Sequence, residues 1–421
     1  MNSEKIVNNI RKYSIKLKTV DDLNEIVHAI GDADYVLLGE ASHGTSEFYT
    51  LRSELSKRLI REKGFSFIAV EGDWPACYSL NRFVKHDPGA ADNTREALRD
   101  FNRWPAWMWA NREVMALADW LREYNQPGLR EQRIGFYGLD VYSLWESMDA
   151  ILTHLEKTGS PELEMARKAF ACFDPHSRDL QKYGVAAAFL SESCEDEVVK
   201  LLTELQARRK SEAGDSEAAL SDELNALVTV NAERYYRSMV RGGPDSWNVR
   251  DRHMVEALNR IMAFHGTGAK AIVWEHNTHI GDARATDMAA EGMVNVGQLV
   301  REEQGLERVY AVGFGTYRGT VIASDQWGGD IQRMEVLEAQ PDSWEELMHQ
   351  AGAHDQILLF DQDTELFHET IGHRAIGVVY NPRYERHGNY VPSSIAQRYD
   401  AFVYVDESKA LEPLKQEVLH V

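Results

Sequence analysis

Short apolar runs and amphipathic stretches alternate through the first part of the chain. The runs YVLLGE (35–40), FIAVEGD (67–73), RIGFYGLD (133–140), KAIVWEHN (270–277), RVYAVGFGT (308–316), QILLFD (356–361), AIGVVYN (375–381) and AFVYVDE (401–407) are apolar, β-branched or aromatic and end in Gly, Asp, Asn, Thr or Glu. That pattern predicts buried strands. Between the early runs lie helical periodicities. From Ser46, the residues Phe48, Leu51, Leu55 and Leu59 fall at i, i+3, i+7 and i+11, one face of a helix with Ser46 as its expected N-cap. Strands apolar on both faces and alternating with helices imply a mostly parallel sheet covered on both sides, an α/β fold of three αβα layers.

The pattern changes in the middle. From about 146 to 262 strand signals vanish, and Val198, Leu201, Leu202 and Leu205 form one helical stripe, Leu220, Leu224, Leu227 and Val228 another. EAGDSE (212–217) between them reads as the turn of a helical hairpin. The expected organisation is an α/β core from 1 to 145, an inserted helical sub-domain from 146 to 262, and the rest of the core from 263 to 421.

Composition narrows the partners. The 421 residues carry 67 acidic against 46 basic side chains, a formal net charge of −21. Such a chain repels phosphate backbones and anionic membranes, so neither nucleic acid nor membrane is expected as a partner. No run approaches the ~20 apolar residues needed to span a bilayer, and the N-terminal stretch lacks the apolar centre of a signal peptide. Cys77, Cys172 and Cys194 stand at unrelated spacings and make neither a CxxC motif nor a disulfide framework, which fits a reducing cytoplasm.

The chemistry collects at strand ends. In open parallel sheets ligands bind beyond the carboxyl ends of the strands, because the loops there converge. Glu40 closes the first predicted strand and His43 follows it; Glu71 and Asp73 close the second; Asp140 closes the third. The fourth ends in Glu275 and His276, with His279 three residues on. Singly, a carboxylate there caps the next helix and a histidine is a structural hydrogen-bonding group; Asp140 is expected to cap or to pair with Tyr142. Jointly, three histidines and several acids suggest a site. Two chemistries fit. One is a metal-assisted hydrolase with Glu40, His43, Glu71, His276 and His279 as ligands, although HExxH and nearby cysteines are missing. The other is metal-free acid–base hydrolysis, in which a carboxylate-held histidine deprotonates water. Ser42 is a poor nucleophile, since it adjoins His43 and no G-x-S-x-G elbow occurs. Arg52 reads either as a surface ion pair or as an arginine reaching back to the strand ends. HGTGAK (265–270) lacks the full phosphate-loop pattern and is the expected turn before AIVWEH. In FNRWPAWMWANRE (101–113), Pro105 breaks the aromatic patch, which makes Trp107 and Met108 candidates for substrate lining.

GEASHGTSEFYTLRSELSKRLI followed by AVEGDWP resembles the erythromycin esterase family, with its G-E-x-x-H-G motif and following helix. The resemblance continues through WMWANREV, FYGLDVYSL, AERYYRSMVRGGPDSWNVRDRHM, WEHNTHIGDARA, NVGQLVRE and AIGVVY, about positions 20 to 410. Within the family this sequence looks closer to the broad branch, which includes succinoglycan-biosynthesis-like proteins, than to the macrolide-resistance enzymes. The resemblance implies an α/β core with a helical sub-domain and a deep cleft, and metal-independent hydrolysis of an ester, in known members a macrolactone. It implies His43 as the general base, Glu40 as its partner, Arg52 and Glu71 completing the polar cluster, and His276 and His279 binding and polarising the carbonyl. Asp73, Trp107 and Met108 are then expected to contact substrate. No cofactor and no bound metal are expected, the partner is a small-molecule ester, and the assembly is a monomer or small homo-oligomer. A non-catalytic small-molecule binder on the same fold is the remaining alternative.

Overall fold

A computed structural model describes residues 3–126, 132–176, 180–189, 193–211, 217–360 and 364–414. Its strands are β1 (Ile15–Lys16), β2 (Tyr35–Leu38), β3 (Phe67–Asp73), β4 (Gly135–Asp140), β5 (Ala271–Trp274), β6 (Val309–Ala323), β7 (Gln332–Val336), β8 (Gln356–Leu359), β9 (Thr370–Arg374), β10 (Tyr390–Ser394) and β11 (Ala401–Ser408). The chain forms two compact units. One holds the residues up to Ile68, Arg82–Gly135 and the chain from Lys270; the other holds Ala69–Asn81 and Phe136–Ala269. The architecture is a mixed, mostly parallel α/β sheet with its helices.

In the first unit the strand order is β1-β8-β11-β6-β2-β5. β2 lies parallel to both β5 and β6, with Leu38 opposite Trp274 on one side and Val312 on the other. β11 is parallel to β6, while β8 runs antiparallel to β11 and β1 antiparallel to β8. All four residues of β2 and of β5 are buried. This is why those runs are apolar without alternation. β6 is longer than the run 308–316 predicted, because its far half turns to a different partner. Gly319–Ala323 pairs antiparallel with β7. The change of partner falls at Gly319, whose φ of +145° and 2.0 Å Cβ approach to Ser408 O leave room only for glycine.

Two expectations fail here. AIGVVYN (375–381) forms no strand. Ile376 makes a single bridge to Ser42 and Val379 one to Ser324, so the segment touches two different elements and ladders with neither. Ser46 is not the N-cap of its helix. Thr45 takes that position without a side-chain capping bond, and Ser46 opens the Ser46–Lys63 helix and donates its hydroxyl to Glu113 at 2.5 Å. The predicted stripe is nonetheless real, with Phe48, Leu55 and Leu59 buried. Patterning of β7, β9 and β10 is too polar and too short to be read as strand.

The second unit carries the ends of β3 and β4, which are neighbours, and the helices Leu144–Thr158, Leu163–Ala171, Leu180–Phe189, Glu195–Ser211, Glu217–Met239 and Asp245–His265. Both predicted stripes face its core: Val198, Leu201 and Leu205, and Leu220, Leu224, Leu227 and Val228, are buried. Of EAGDSE, residues 212–216 lie outside the described residues, and Glu217 opens the helix that follows. The Glu217–Met239 helix also buries polar groups, each needing partners. Glu217 accepts from Asn81 at 2.9 Å and from Tyr137 at 2.5 Å, and Glu233 accepts from Tyr183 at 2.7 Å.

The cysteine reading is corrected in this unit. Cys172 and Cys194, with Cα atoms 5.8 Å apart, form a disulfide, and Cys77 is free and buried. A separation of 22 residues carries no motif. The pairing comes from the helical packing that brings the end of Leu163–Ala171 to the start of Glu195–Ser211. Cysteine usage therefore gives no argument for a reducing compartment. Among the described residues no helix is long and apolar enough to cross a membrane.

Candidate active site

The corner GEASHGT begins where β2 ends. β2 and β5 are adjacent and parallel, so the residues just past Leu38 and just past Trp274 leave the sheet side by side. Glu40 and His276 are therefore neighbours by topology, and the Asn277 N–H donates to Glu40 O at 2.9 Å to fix them. Gly39 permits this approach, since a Cβ there would meet Asn277 Oδ1 at 2.0 Å.

Glu40 is the hub, 1% exposed. Its Oε1 lies 2.8 Å from His43 Nδ1, and its Oε2 accepts from Arg52 Nη2 at 2.5 Å. A carboxylate can only accept, so His43 carries its proton on Nδ1 and presents Nε2 as the basic atom. Arg52 is fully buried, which excludes the surface-ion-pair reading. It sits two turns into the Ser46–Lys63 helix and turns back to the corner, with Nε donating to Phe48 O at 3.2 Å. Its guanidinium carbon lies 4.7 Å from the ring centres of both Tyr49 and Trp274, so cation–π contacts replace part of its lost hydration. Nη1 has no hydrogen-bond partner among the described residues. Tyr49 also donates its hydroxyl to His43 O at 2.9 Å.

His276 packs against His43, ring centres 4.9 Å apart. It caps the short Asn277–Ile280 helix: Thr278 N donates to its Nδ1 at 3.3 Å. A backbone N–H can only donate, so this ring carries its proton on Nε2. The two imidazoles thus hold opposite tautomers. His279 is buried on the same turn, its backbone N–H donating to His276 O at 2.9 Å. Ser42 is tied to Thr45 hydroxyl to hydroxyl.

The second unit holds three more of the predicted acids, Glu71, Asp73 and Asp140. Glu71 accepts from Arg250 Nη2 at 2.6 Å. Asp140 takes the same guanidinium twice, from Nε at 2.9 Å and Nη2 at 2.7 Å, and accepts from Val141 N at 2.7 Å. The expected cap, or pairing with Tyr142, is thereby corrected: Asp140 is the bidentate partner of Arg250, which also lies 4.7 Å from the Tyr142 ring centre. Burial pushes the Asp140 carboxyl up, but the Arg250 charge outweighs it and holds the group below its ordinary range. Asp73 ends β3, half-buried. Arg250 escaped sequence reasoning because an arginine in the helical WNVRDRHM stretch looks like a solvated face. Tyr49 and Trp274 read simply as core.

Trp107 and Met108 lie buried in the Ala106–Met108 turn, held by Asn111 Nδ2 on both their carbonyls at 3.1 and 2.9 Å. The patch reaches the corner through Trp109, whose ring centre is 6.1 Å from that of Tyr49. Among the described residues no three His, Cys, Asp or Glu side chains form a group able to hold a metal ion.

The family model for erythromycin esterase matches residues 60–408. The chain belongs to the erythromycin esterase family. It is 22% identical over 378 residues to erythromycin esterase type II of Escherichia coli, covering 81% of this chain and 84% of that one. Its fold is similar to the crystal structure of a succinoglycan biosynthesis protein, with TM-score 0.79, 20% identity and 98% of each chain covered. It is also similar to a mutant of the erythromycin esterase EreC in its open conformation, with TM-score 0.66, 15% identity and 93% and 94% of the two chains covered. At the family level this suggests a hydrolase.

Proposed function

We propose that this erythromycin esterase family member is a metal-independent hydrolase of a carboxylic ester, with the lactone of a macrolide as one candidate substrate. The observation that carries the reading is the double use of Glu40, which holds His43 at Nδ1 and Arg52 at Nη2. A carboxylate so placed fixes the tautomer that leaves Nε2 basic and stabilises the imidazolium that forms. Both its oxygens are engaged, one by a guanidinium, which disfavours Glu40 as a metal ligand.

In the proposed reaction His43 Nε2 takes a proton from water as the water oxygen bonds to the ester carbonyl carbon. The carbonyl oxygen becomes an oxyanion and accepts from the His276 Nε2–H, with Arg52 and His279 as further donors. The tetrahedral intermediate then collapses. The acyl carbon–oxygen bond to the alcohol breaks, His43 returns its proton to the leaving alkoxide, and acid and alcohol depart. Trp107 and Met108, of the same unit as this corner, are the proposed substrate lining.

The test is incubation of the purified protein with a panel of macrolides and simple aryl esters, read by mass for the gain of one water. Turnover on at least one ester is expected, to persist after exhaustive chelation, and to fall ~10²–10⁴-fold in His43→Ala, the usual contribution of a general base. Substrate binding without turnover across the panel overturns the enzymatic reading, and loss on chelation overturns its metal independence. A His43→Ala variant that keeps most of the activity removes His43 as the base.

A further inference from the structure

A second glutamate–histidine pair lies in the core of the first unit. His373 on β9 and Glu345 on the Trp344–Ala351 helix are both fully buried, with Nδ1 to Oε1 at 2.5 Å. The other ring nitrogen does not face solvent. His373 Nε2 lies 3.2 Å from the side-chain nitrogen of Asn277, the residue that follows His276. The rings of Tyr399 and Phe402 enclose the imidazole at 5.8 and 5.3 Å.

The polarity of this chain is decided from its ends. Glu345 also accepts from Arg374 N at 3.0 Å and can only accept, so His373 carries its proton on Nδ1 and Nε2 is an acceptor. Asn277 is oriented independently: its Nδ2 donates to Phe314 O at 2.6 Å and its Oδ1 accepts from Phe314 N at 3.2 Å. Its amide N–H therefore points at a nitrogen ready to accept it. The Asn277 backbone is held as well, N–H to Glu40 O at 2.9 Å and O from Arg398 Nη2 at 3.0 Å. Every polar atom of Asn277 is thus committed, and its main chain joins the Glu40 corner to the His276 cap.

We propose that Glu345 and His373 are positioning residues: the buried pair locks Asn277, and through Asn277 it sets the placement of His276 against Glu40 and His43. Neither touches the reacting atoms. The geometry explains why a carboxylate and an imidazole are kept where apolar side chains would pack at lower desolvation cost. A protonated His373 would set an N–H against the Asn277 N–H, and burial holds this imidazole below its ordinary range, in the neutral form that accepts. The kinetic part of the inference rests on the ester-hydrolase reading; the structural part does not.

The test compares two variants with wild type. The double variant His373→Phe with Glu345→Met keeps the ring and the volume and strands no charge. His373→Gln keeps a donor for Glu345 and an acceptor for Asn277. On an ester the wild type hydrolyses, the double variant is expected to lose ~10–100-fold in kcat with KM little changed, as for a misplaced catalytic group, while His373→Gln recovers most of it. Equal kcat in all three, whatever their melting temperatures, overturns the proposal. The second measurement needs no substrate: ring-¹⁵N histidine spectra of the wild type should show His373 as the Nδ1–H tautomer, and the resonances of His276 should move in the double variant and return in His373→Gln. An Nε2–H tautomer at His373, or a His276 signal unmoved in the double variant, overturns the lock even if no ester is ever found.

Discussion

The molecule contains the same pair of side chains twice in its first unit, in two different settings. At the β2 corner, Glu40 holds His43 by Nδ1 and spends its other oxygen on Arg52. In the core, Glu345 holds His373 by Nδ1, and the far ring nitrogen is spent on Asn277. The corner histidine keeps 7% of its surface; the core histidine keeps none. The difference lies in the second nitrogen. A glutamate fixes a tautomer in both places, but the core imidazole is sealed in with its far nitrogen against a structural amide, while the imidazole proposed as the base keeps some exposure. Pairing alone does not make a base.

Three changes bear on that contrast. The largest effect is expected at Arg52. Replacing it by Met leaves Glu40 buried with only His43, and removing one partner of a buried ion pair costs ~3–5 kcal/mol. Urea unfolding measures it, and a loss below 1 kcal/mol would mean that the corner is solvated and unlike the core pair. The next concerns another buried histidine, one with no glutamate hydrogen-bonded to it among the described residues. His253, in the second unit, faces Asn231 at 3.0 Å, and burial lowers it to about 4. Its neutral form is the native one, so the unfolded chain binds the extra proton between the unfolded value of ~6.5 and about 4. Its contribution is present above pH ~6.5 and is lost as pH falls through that window, about 3 kcal/mol in all. His253→Gln should flatten the acid side of a stability–pH curve; an unchanged slope would show that burial alone does not hold this imidazole neutral. The smallest effect belongs to Gly39→Ala. The added methyl must displace Asn277 Oδ1, at an expected cost of ~1–3 kcal/mol in thermal unfolding. Because Asn277 joins the two pairs, activity should fall more than stability; the reverse order would separate them.

The sheet was legible wherever strands are buried on both faces. The runs at 35–40, 67–73, 270–277 and 401–407 all contain strands, because an interior parallel strand must be apolar along its whole length. AIGVVYN was misread for the same reason. Its Ile376 and Tyr380 fill a core position beside Val321 and Val336, a burial that does not require a ladder. β9 and β10 escaped because a two-stranded ribbon carries no such run. At the site, Glu40, His43 and His276 were legible from their place at strand ends. Arg250 and the Glu345–His373 pair were not, since nothing in a linear sequence separates a buried arginine or histidine from a solvated one.

By itself the sequence determined the alternation of buried strand and amphipathic helix, the family, and the collection of acids and histidines past the strand ends. Those are properties of residue type and spacing, which periodic structure converts directly into faces and ends. Tertiary structure alone decided which acid holds which base, that Arg52 turns back to Glu40, that Asp140 belongs to Arg250, that Cys172 meets Cys194, and that Asn277 links two glutamate–histidine pairs. Each of these depends on side chains meeting at bonding distance in the folded chain, and such a meeting is set by ångströms of packing that no local pattern encodes.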